Sequence, residues 1–524
     1  MPKNIVVFSD GTGQDGGVRP EQRVSNIYKM YRAARVSFDN DVDPAVQVTM
    51  YDPGLGTDLG ATALTAPGRF VQKLLASVEG RGITTNIIDC YTFILNHYQT
   101  DDRIFLLGFS RGAYTVRSVA DLLRLCGVPA KTPEGHVPRF RAQTRKIAAE
   151  ATLTVLEHGA GHPRGGELEQ ERDELARRFR EKYGSDHPGG EPQRSNVAPY
   201  FIGVFDTVAA LGASGLRRKI IQTGLYAIAI CLGLASGIIP ALLLSGLIKH
   251  FTGLSYWLTF AALEVVAAIV GIVLLRYKQR QEIRKTIYDF PKKGDKRSHY
   301  AEWEGKNFNR LLSRFVIYAR SANAIDETRA DFDRVAWGPT VKGVSETAGF
   351  PTFQQFFFAG NHSDIGGSYA EVESRLSDIA LAWMLEKATE IPDGLKVGPV
   401  YVNRVKMAAT GEHGPALYIY PADDGVQHSE IAATRDMLDA LKPRWFAWLL
   451  RKQNYAVKIR TLPKDATVHP SVNRRFELRG VQQPDGFACY RPEALQNVDA
   501  FKHDYKPIEQ PTMPAESSVP TAGS

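Results

Sequence analysis

Five short runs along the chain are almost wholly apolar, and they are separated by stretches whose apolar residues recur at three- and four-residue spacing. The runs are "NIVVFSD", "AVQVTMYDPG", "RIFLLGF", "YFIGVFDTVAAL" and "FQQFFFAGNHSDIGGSY"; "ITTNIIDCYTFILNHY" and "AYTVRSVADLLRLCG" carry the helical spacing. Strands with no polar face, alternating with amphipathic helices, predict a mostly parallel α/β sheet covered on both sides. The polar stretches from Lys131 to Gln193 and from Tyr277 to Thr352 read as helical insertions and caps, and "ELEQERDELARRFREKYG" as a helix with a solvated face. No internal repeat is evident, and "PIEQPTMPAESSVPTAGS" is a disordered tail by composition.

One segment breaks this pattern. Ile220 to Ile248 contains no charge, and after "KHFTG" the run from Leu254 to Leu275 carries only Glu264. Each exceeds the ~20 residues that cross a ~30 Å hydrocarbon core. The prediction is a two-helix transmembrane hairpin, kinked or tilted near Pro240, rather than a buried core hairpin. Arg217, Arg218 and Lys219 precede it and Arg276, Lys278 and Arg280 follow it, which puts both flanks on one cytoplasm-like side of a membrane. Tyr256 and Trp257 suit an interfacial belt, and Gly233 with Gly237 form a GxxxG pair that would let two helices approach. Glu264 is ionisable within a span, a candidate for function or for pairing across the hairpin.

Composition narrows the class. The 524 residues are 44% hydrophobic and 23% charged, as in a folded protein with a large core. A net charge of +7 is modest at this size and the basic residues are scattered, so nucleic acid is not an expected partner. Cys90, Cys126, Cys231 and Cys489 lie far apart without CxxC spacing; neither a disulfide framework nor a zinc site is expected, and no metal or other cofactor. The opening "MPKNIVVFSDG" enters a strand without the features of a secretory signal, so cleavage for export is not expected. Delivery to a target membrane by a signal-independent route stays open.

The chemistry centres on "FLLGFSRGAYTVR". Gly108, Phe109, Ser110, Arg111 and Gly112 stand between a buried strand and an amphipathic helix, the context of a nucleophile elbow. A serine hydroxyl needs a base and an orienting acid, which follow in the order Ser, Asp, His, each beyond a strand. Asp206 ends "YFIGVFD" and His362 follows "FQQFFFAGN". Asp364 is the rival acid, better suited to orienting its own loop; an N-capping role for Asp206 is the bland alternative. His97, His136, His158, His162 and His469 do not follow comparable strands. For the oxyanion, the backbone N–H of Arg111 and of Gly11 or Thr12 in "SDGTG" are the expected donors. Asp10 in that loop could instead serve a phosphate or metal, a weaker reading, since Phe8 stands where an aspartyl nucleophile would be required.

"VVFSDGTGQD", "YDPGLGTD", "IIDCYTFILNHY", "IFLLGFSRGAYTVRSVADLL", "FIGVFDTVAALG", "ANAIDETRADF" and "AGNHSDIGGSY" together resemble the successive motifs of the bacterial α/β-hydrolase family that contains the type VI secretion phospholipase effectors. The likeness runs from residue 4 to about residue 385, and more loosely through "ATVHPSVNRRF" and "YRPEAL". It implies an α/β-hydrolase fold and esterase chemistry on phospholipids, with Ser110, Asp206 and His362 on the catalytic positions. The expected organisation is a first core part over 1–215, the membrane hairpin over 216–280, a helical cap over 281–350, a second core part over 351–505 and a tail over 506–524. The leading expectation is thus a membrane-associated serine hydrolase of lipid carboxyl esters acting through an acyl-enzyme. A tethered esterase for small soluble esters, and a membrane-inserting toxin or scaffold with an inactive hydrolase body, are the alternatives. The partners expected are membrane phospholipids as substrate and the bilayer itself through residues 220–275; an immunity or secretion partner is left open.

Overall fold

In the computed structural model, residues 2–11, 23–38, 40–54, 81–162, 166–191, 193–208, 215–303, 312–313, 315–337, 346–430 and 457–505 are described. The first strand, β1 (Asn4–Ser9), is buried along its whole length. It pairs in parallel with β2 (Gln47–Asp52) on one side and β3 (Arg103–Phe109) on the other. Beyond β3 come β4 (Phe201–Phe205), β7 (Tyr318–Ala324) and β10 (Phe353–Phe358), all parallel, giving the order β10-β7-β4-β3-β1-β2. The chain therefore winds outward from β1 in both directions, and the switch lies between β1 and β3, where open α/β sheets build their sites.

Alternation along each strand sends side chains to two cores. Ile5, Val7, Ile104 and Leu106 face α2 (Arg81–His97) and α3 (Ser110–Cys126), backed by α4 (Ala142–Glu150) and α5 (Glu167–Tyr183). Val6, Phe8, Phe105, Leu107, Phe201 and Phe205 face α1 (Asn26–Ala34) and a long helix over Arg375–Thr389. The C-terminal segment adds a third cluster around Leu462, Val472, Tyr490 and Leu495. Between Lys131 and Gln193 the elements longer than an isolated bridge are helical among the described residues, as the sequence implied. The helix α5 is not merely a solvated face, because Glu171, Arg172, Ala176, Phe179 and Arg180 are buried.

The two apolar runs form α6 (Gly215–Thr252) and α7 (Tyr256–Ile283). Their apolar parts, 31 and 28 residues long, reach roughly 42–46 Å at ~1.5 Å per residue, enough to cross a membrane. They pack on each other through small residues: a Cβ on Gly233 would stand 2.5 Å from the Ala267 carbonyl oxygen, and one on Gly271 2.4 Å from that of Ala229. Outward, leucines, valines and isoleucines such as Leu243, Leu258 and Val265 are exposed, and no residue of α7 is buried.

Tyr277 to Thr352 departs from expectation. Beyond the end of α7 the described residues hold strands where a helical cap was expected: β5 (Arg284–Tyr288) and β6 (Lys296–Tyr300) form an antiparallel hairpin, β7 enters the central sheet, and β8 (Glu346–Thr347) with β9 (Phe350–Pro351) forms a small turn. The strand β7 reads "YARSANA", without the bulky apolar residues that announce a buried strand. It is nonetheless buried throughout, because small side chains let the covering helices approach and the Arg320 guanidinium bonds the Ala319 carbonyl at 2.9 Å.

Candidate active site

The strand registers bring the carboxyl ends of the sheet to one rim. Ser9 lies level with Gly108, Phe109 with Phe205, and Phe205 with Ala322. Ser110 follows β3 at once and opens α3 with φ of 57°, a left-handed conformation that a residue with a Cβ adopts only under constraint. The two flanking glycines provide that constraint's clearance. A Cβ on Gly108 would stand 2.6 Å from the Gly112 carbonyl oxygen, and one on Gly112 2.1 Å from that of Ser9. The turn is thus as tight as the sequence pattern implied, and it presents Ser110 above the sheet.

Asp206 also has a positive φ, 36°, directly after β4. Its Oδ2 accepts from His362 Nδ1 at 2.6 Å, and its Oδ1 accepts from the Ala324 N–H at 2.9 Å. Arg460 completes the grip, with Nη1 donating to Oδ1 at 2.6 Å and Nη2 to Oδ2 at 2.9 Å. Burial alone would raise this carboxyl, but the Arg460 charge and the His362 hydrogen bond outweigh it and hold Asp206 well below the usual carboxylate range. An ionised carboxylate only accepts, so His362 carries its proton on Nδ1 and keeps its lone pair on Nε2. That Nε2 is buried without a hydrogen-bond partner. The His362 ring stacks on Phe109, centroids 4.7 Å apart, which sets it beside the serine's own strand.

His362 opens a short helix, His362–Gly366, whose start is a capping box. Asn361 Oδ1 accepts from the Ser363 and Asp364 amides at 2.9 Å each, and Asp364 Oδ2 accepts from the Asn361 amide at 3.0 Å. Asp364 further pairs with His428 Nδ1 at 2.7 Å, so it holds the loop that carries His362 and makes no bond to that ring. Gly366 is required where it stands, since a Cβ there would be 1.9 Å from the Phe109 ring.

A family model described as "T6SS, Phospholipase effector Tle1-like, catalytic domain" matches residues 3–228 and 273–387. The chain belongs to this family. The break in the match falls within the two apolar helices, which makes the hairpin an insertion into the Tle1-like domain. An uncharacterised protein of Saccharomyces cerevisiae, YEL023C, is 22% identical over 440 residues, spanning 78% of this chain and 60% of its own length. Two solved structures are similar at a lower level. An uncharacterised protein from Pseudomonas aeruginosa has 14% identity and a TM-score of 0.30, covering 78% of this chain and 49% of its own. The Tle1 effector bound to the VgrG spike of the type VI secretion system has 17% identity and a TM-score of 0.24, covering 72% and 53%. This chain thus spans about half to three-fifths of the length of the relatives it matches.

The remaining expected site residues of this Tle1-like domain are distributed as follows. Arg111 lies in the first turn of α3. Gly11 approaches the nucleophile, a Cβ built on it standing 3.3 Å from Ser110 Cβ, but its N–H donates to Asp10 Oδ1 at 2.7 Å. Thr12 lies outside the described residues. Asp10 is buried and accepts from Ser25 and, at 2.7 Å, from the Tyr51 hydroxyl. Burial pushes its carboxyl up to about 6 against those bonds. Neighbouring Asp52, bonded by Ser9 at 2.6 Å and Asn86 at 3.0 Å, is pushed to about 7 by the same cause. Sequence reasoning missed two groups. Arg460 lies beyond the matched residues and carries no motif; Glu327, which accepts from the His362 amide at 3.2 Å and pairs with Arg329, is inside the quoted "ANAIDETRADF".

Proposed function

We propose that the protein is a serine hydrolase that cleaves carboxyl esters of membrane phospholipids through an acyl-enzyme. The observation that carries this reading is a strained Ser110 elbow at the same rim of the sheet as a His362 whose Nδ1 bonds Asp206 and whose Nε2 is left without a hydrogen-bond partner. Ser110 Oγ attacks the ester carbonyl while His362 Nε2 takes its proton, then returns it to the leaving alcohol. Asp206 stabilises the imidazolium. The Arg111 N–H in the first turn of α3, aided by the helix dipole, receives the oxyanion. Catalytic hydrogen bonds are often long without substrate, so the unbonded Nε2 suits a resting site. The family and the two apolar helices support a lipid substrate met at the bilayer.

The test is a fluorophosphonate probe together with a vesicle assay on full-length protein. Labelling of wild type and release of fatty acid from phosphatidylglycerol or phosphatidylethanolamine vesicles, both lost in Ser110→Ala with an unchanged melting temperature, are expected. Fatty-acid release that survives in Ser110→Ala would overturn the mechanism, and release from short soluble esters alone would overturn the lipid substrate.

A further inference from the structure

Outside the Ser110 site, His158, Glu171 and His299 converge although they belong to three elements. His158 sits in a 3-10 turn (Leu156–Gly159), Glu171 on the inner face of α5, and His299 on β6, 141 positions after His158. One ligating atom from each lies within 4.8 Å of the others. His158 and Glu171 are buried and His299 half-buried. Because the three are so widely spaced in sequence, no ligand pattern announced them.

The arrangement suits a divalent transition metal of the zinc type, for which imidazole and carboxylate are ordinary ligands. His158 Nε2 and Glu171 Oε2 are 2.8 Å apart. Two ligands at ~2.0–2.1 Å on a tetrahedral ion stand about 3.3 Å apart, so a half-ångström widening would admit one. His299 Nε2 lies 2.7 Å from the His158 carbonyl oxygen. A carbonyl only accepts, so that nitrogen carries the proton and Nδ1 keeps the lone pair, the kind of outer bond that fixes a ligating histidine's tautomer. The local cations are already engaged. Lys285 pairs with Glu157 at 2.7 Å, while half-exposed Arg297 stands 3.6 Å from the second Glu171 oxygen, the one not turned to His158.

We infer that His158, Glu171 and His299 form a site for one divalent transition metal, with water in the fourth position, which fastens the β5–β6 hairpin to the helical insertion. The placement gives the site a purpose. The β5–β6 hairpin follows directly on α7, and it is held to the body by buried Ile287 and by polar contacts: Lys285 to the Leu153 carbonyl at 2.9 Å, Arg178 to that of Tyr288 at 2.8 Å, and His162 to that of Tyr300 at 3.2 Å. A metal here joins residues on both sides of the apolar insertion, and so fixes how the hydrolase body stands on its membrane hairpin.

The test uses full-length protein in detergent, stripped by chelator and titrated with Co²⁺ as a visible probe, then with Zn²⁺. One equivalent of Co²⁺ should bind with a visible absorption band that Zn²⁺ abolishes. Zn²⁺ should also slow tryptic cleavage within residues 284–300. His299→Ala, at a half-buried position, and the isosteric Glu171→Gln should each weaken Co²⁺ binding by more than the roughly 10–100-fold that loss of an outer partner costs. Absence of a band, or equal binding in both variants, would overturn the inference and leave a buried histidine–glutamate pair only.

Discussion

Arg460 holds both carboxylate oxygens of Asp206, at 2.6 and 2.9 Å, from a segment of chain 254 positions away. The acid that orients His362 is thus itself clamped by a residue beyond the part of the chain that the Tle1-like family model matches. Both partners are buried, and removing one side of a buried pair leaves an uncompensated charge that costs about 3–5 kcal/mol. Arg460→Met should therefore lower the melting temperature strongly, and Arg460→Lys less so. The pH profile separates positioning from mere stability. Asp206 is depressed in the folded state, so its contribution is present above the ordinary carboxylate pKa and is lost as pH falls through the lower folded value. Without the guanidinium that loss starts at higher pH. In Arg460→Lys the acid limb of kcat/KM and of the melting temperature should both move upward; an unmoved acid limb would show that Arg460 does not act through the Asp206–His362 pair.

The conformation of Ser110 makes a prediction that activity alone does not. Left-handed backbone costs a residue with a Cβ roughly 1–2 kcal/mol, partly offset in glycine by ~0.5–1 kcal/mol of chain entropy. Ser110→Gly and Ser110→Ala should both lack esterase activity, yet the glycine variant should be the more stable by roughly 0.5–1 kcal/mol in denaturant titration. Equal stability of the two would mean that the elbow is not strained in solution.

Asp52 tests the rim of the sheet next to the site. Its carboxyl is raised to about 7, burial outweighing the bonds from Ser9 and Asn86. A group raised on folding contributes most below its unfolded pKa and loses that contribution as pH rises through the folded value, here between about pH 4 and 7. Asp52→Asn keeps an acceptor for Ser9 without the charge. It should match wild type only below about pH 4 and melt higher near pH 8. A variant no more stable than wild type at pH 8 would show that Asp52 is not buried as an anion at that pH.

How far the sequence reaches is clearest by comparing β3 with β7. "RIFLLGF" announced itself, because four bulky residues in a row have no use outside a two-sided core, and the glycines around Ser110 encode a clash that any Cβ would make. "YARSANA" is just as buried, but its small and polar residues give no hydrophobic signal, so the strand next to β4 falls within the stretch expected to be a helical cap. The positions of Ser110, Asp206 and His362 were legible because each follows a strand whose end lies on the same rim. Arg460 was not, since a lone arginine in a polar stretch looks like solvent-facing charge until tertiary folding buries it against Asp206. The same holds for His158, Glu171 and His299, which share no local spacing.

The last prediction concerns the insertion between the two matched parts of the domain. At the base of the hairpin, Arg276 Nε approaches the Tyr226 hydroxyl at 3.4 Å, so the chain ends left by excising residues 227–275 lie within two side-chain lengths of each other. A short Gly-Ser linker would close that gap without pulling on β4 or on the β5–β6 hairpin. The excised helices bury little against the rest of the protein and expose most of their apolar surface, so their loss should not destabilise the sheet. The deletion variant should be soluble without detergent, melt within a few degrees of full-length protein, and hydrolyse a short soluble ester at an unchanged rate. On phospholipid vesicles it should lose activity on the order of 10²-fold, since anchoring turns substrate encounter into an effectively intramolecular event. Full activity on vesicles would show that the hairpin serves some purpose other than access to lipid. Loss of the soluble-ester activity as well would show that α6 and α7 support the Ser110 site itself.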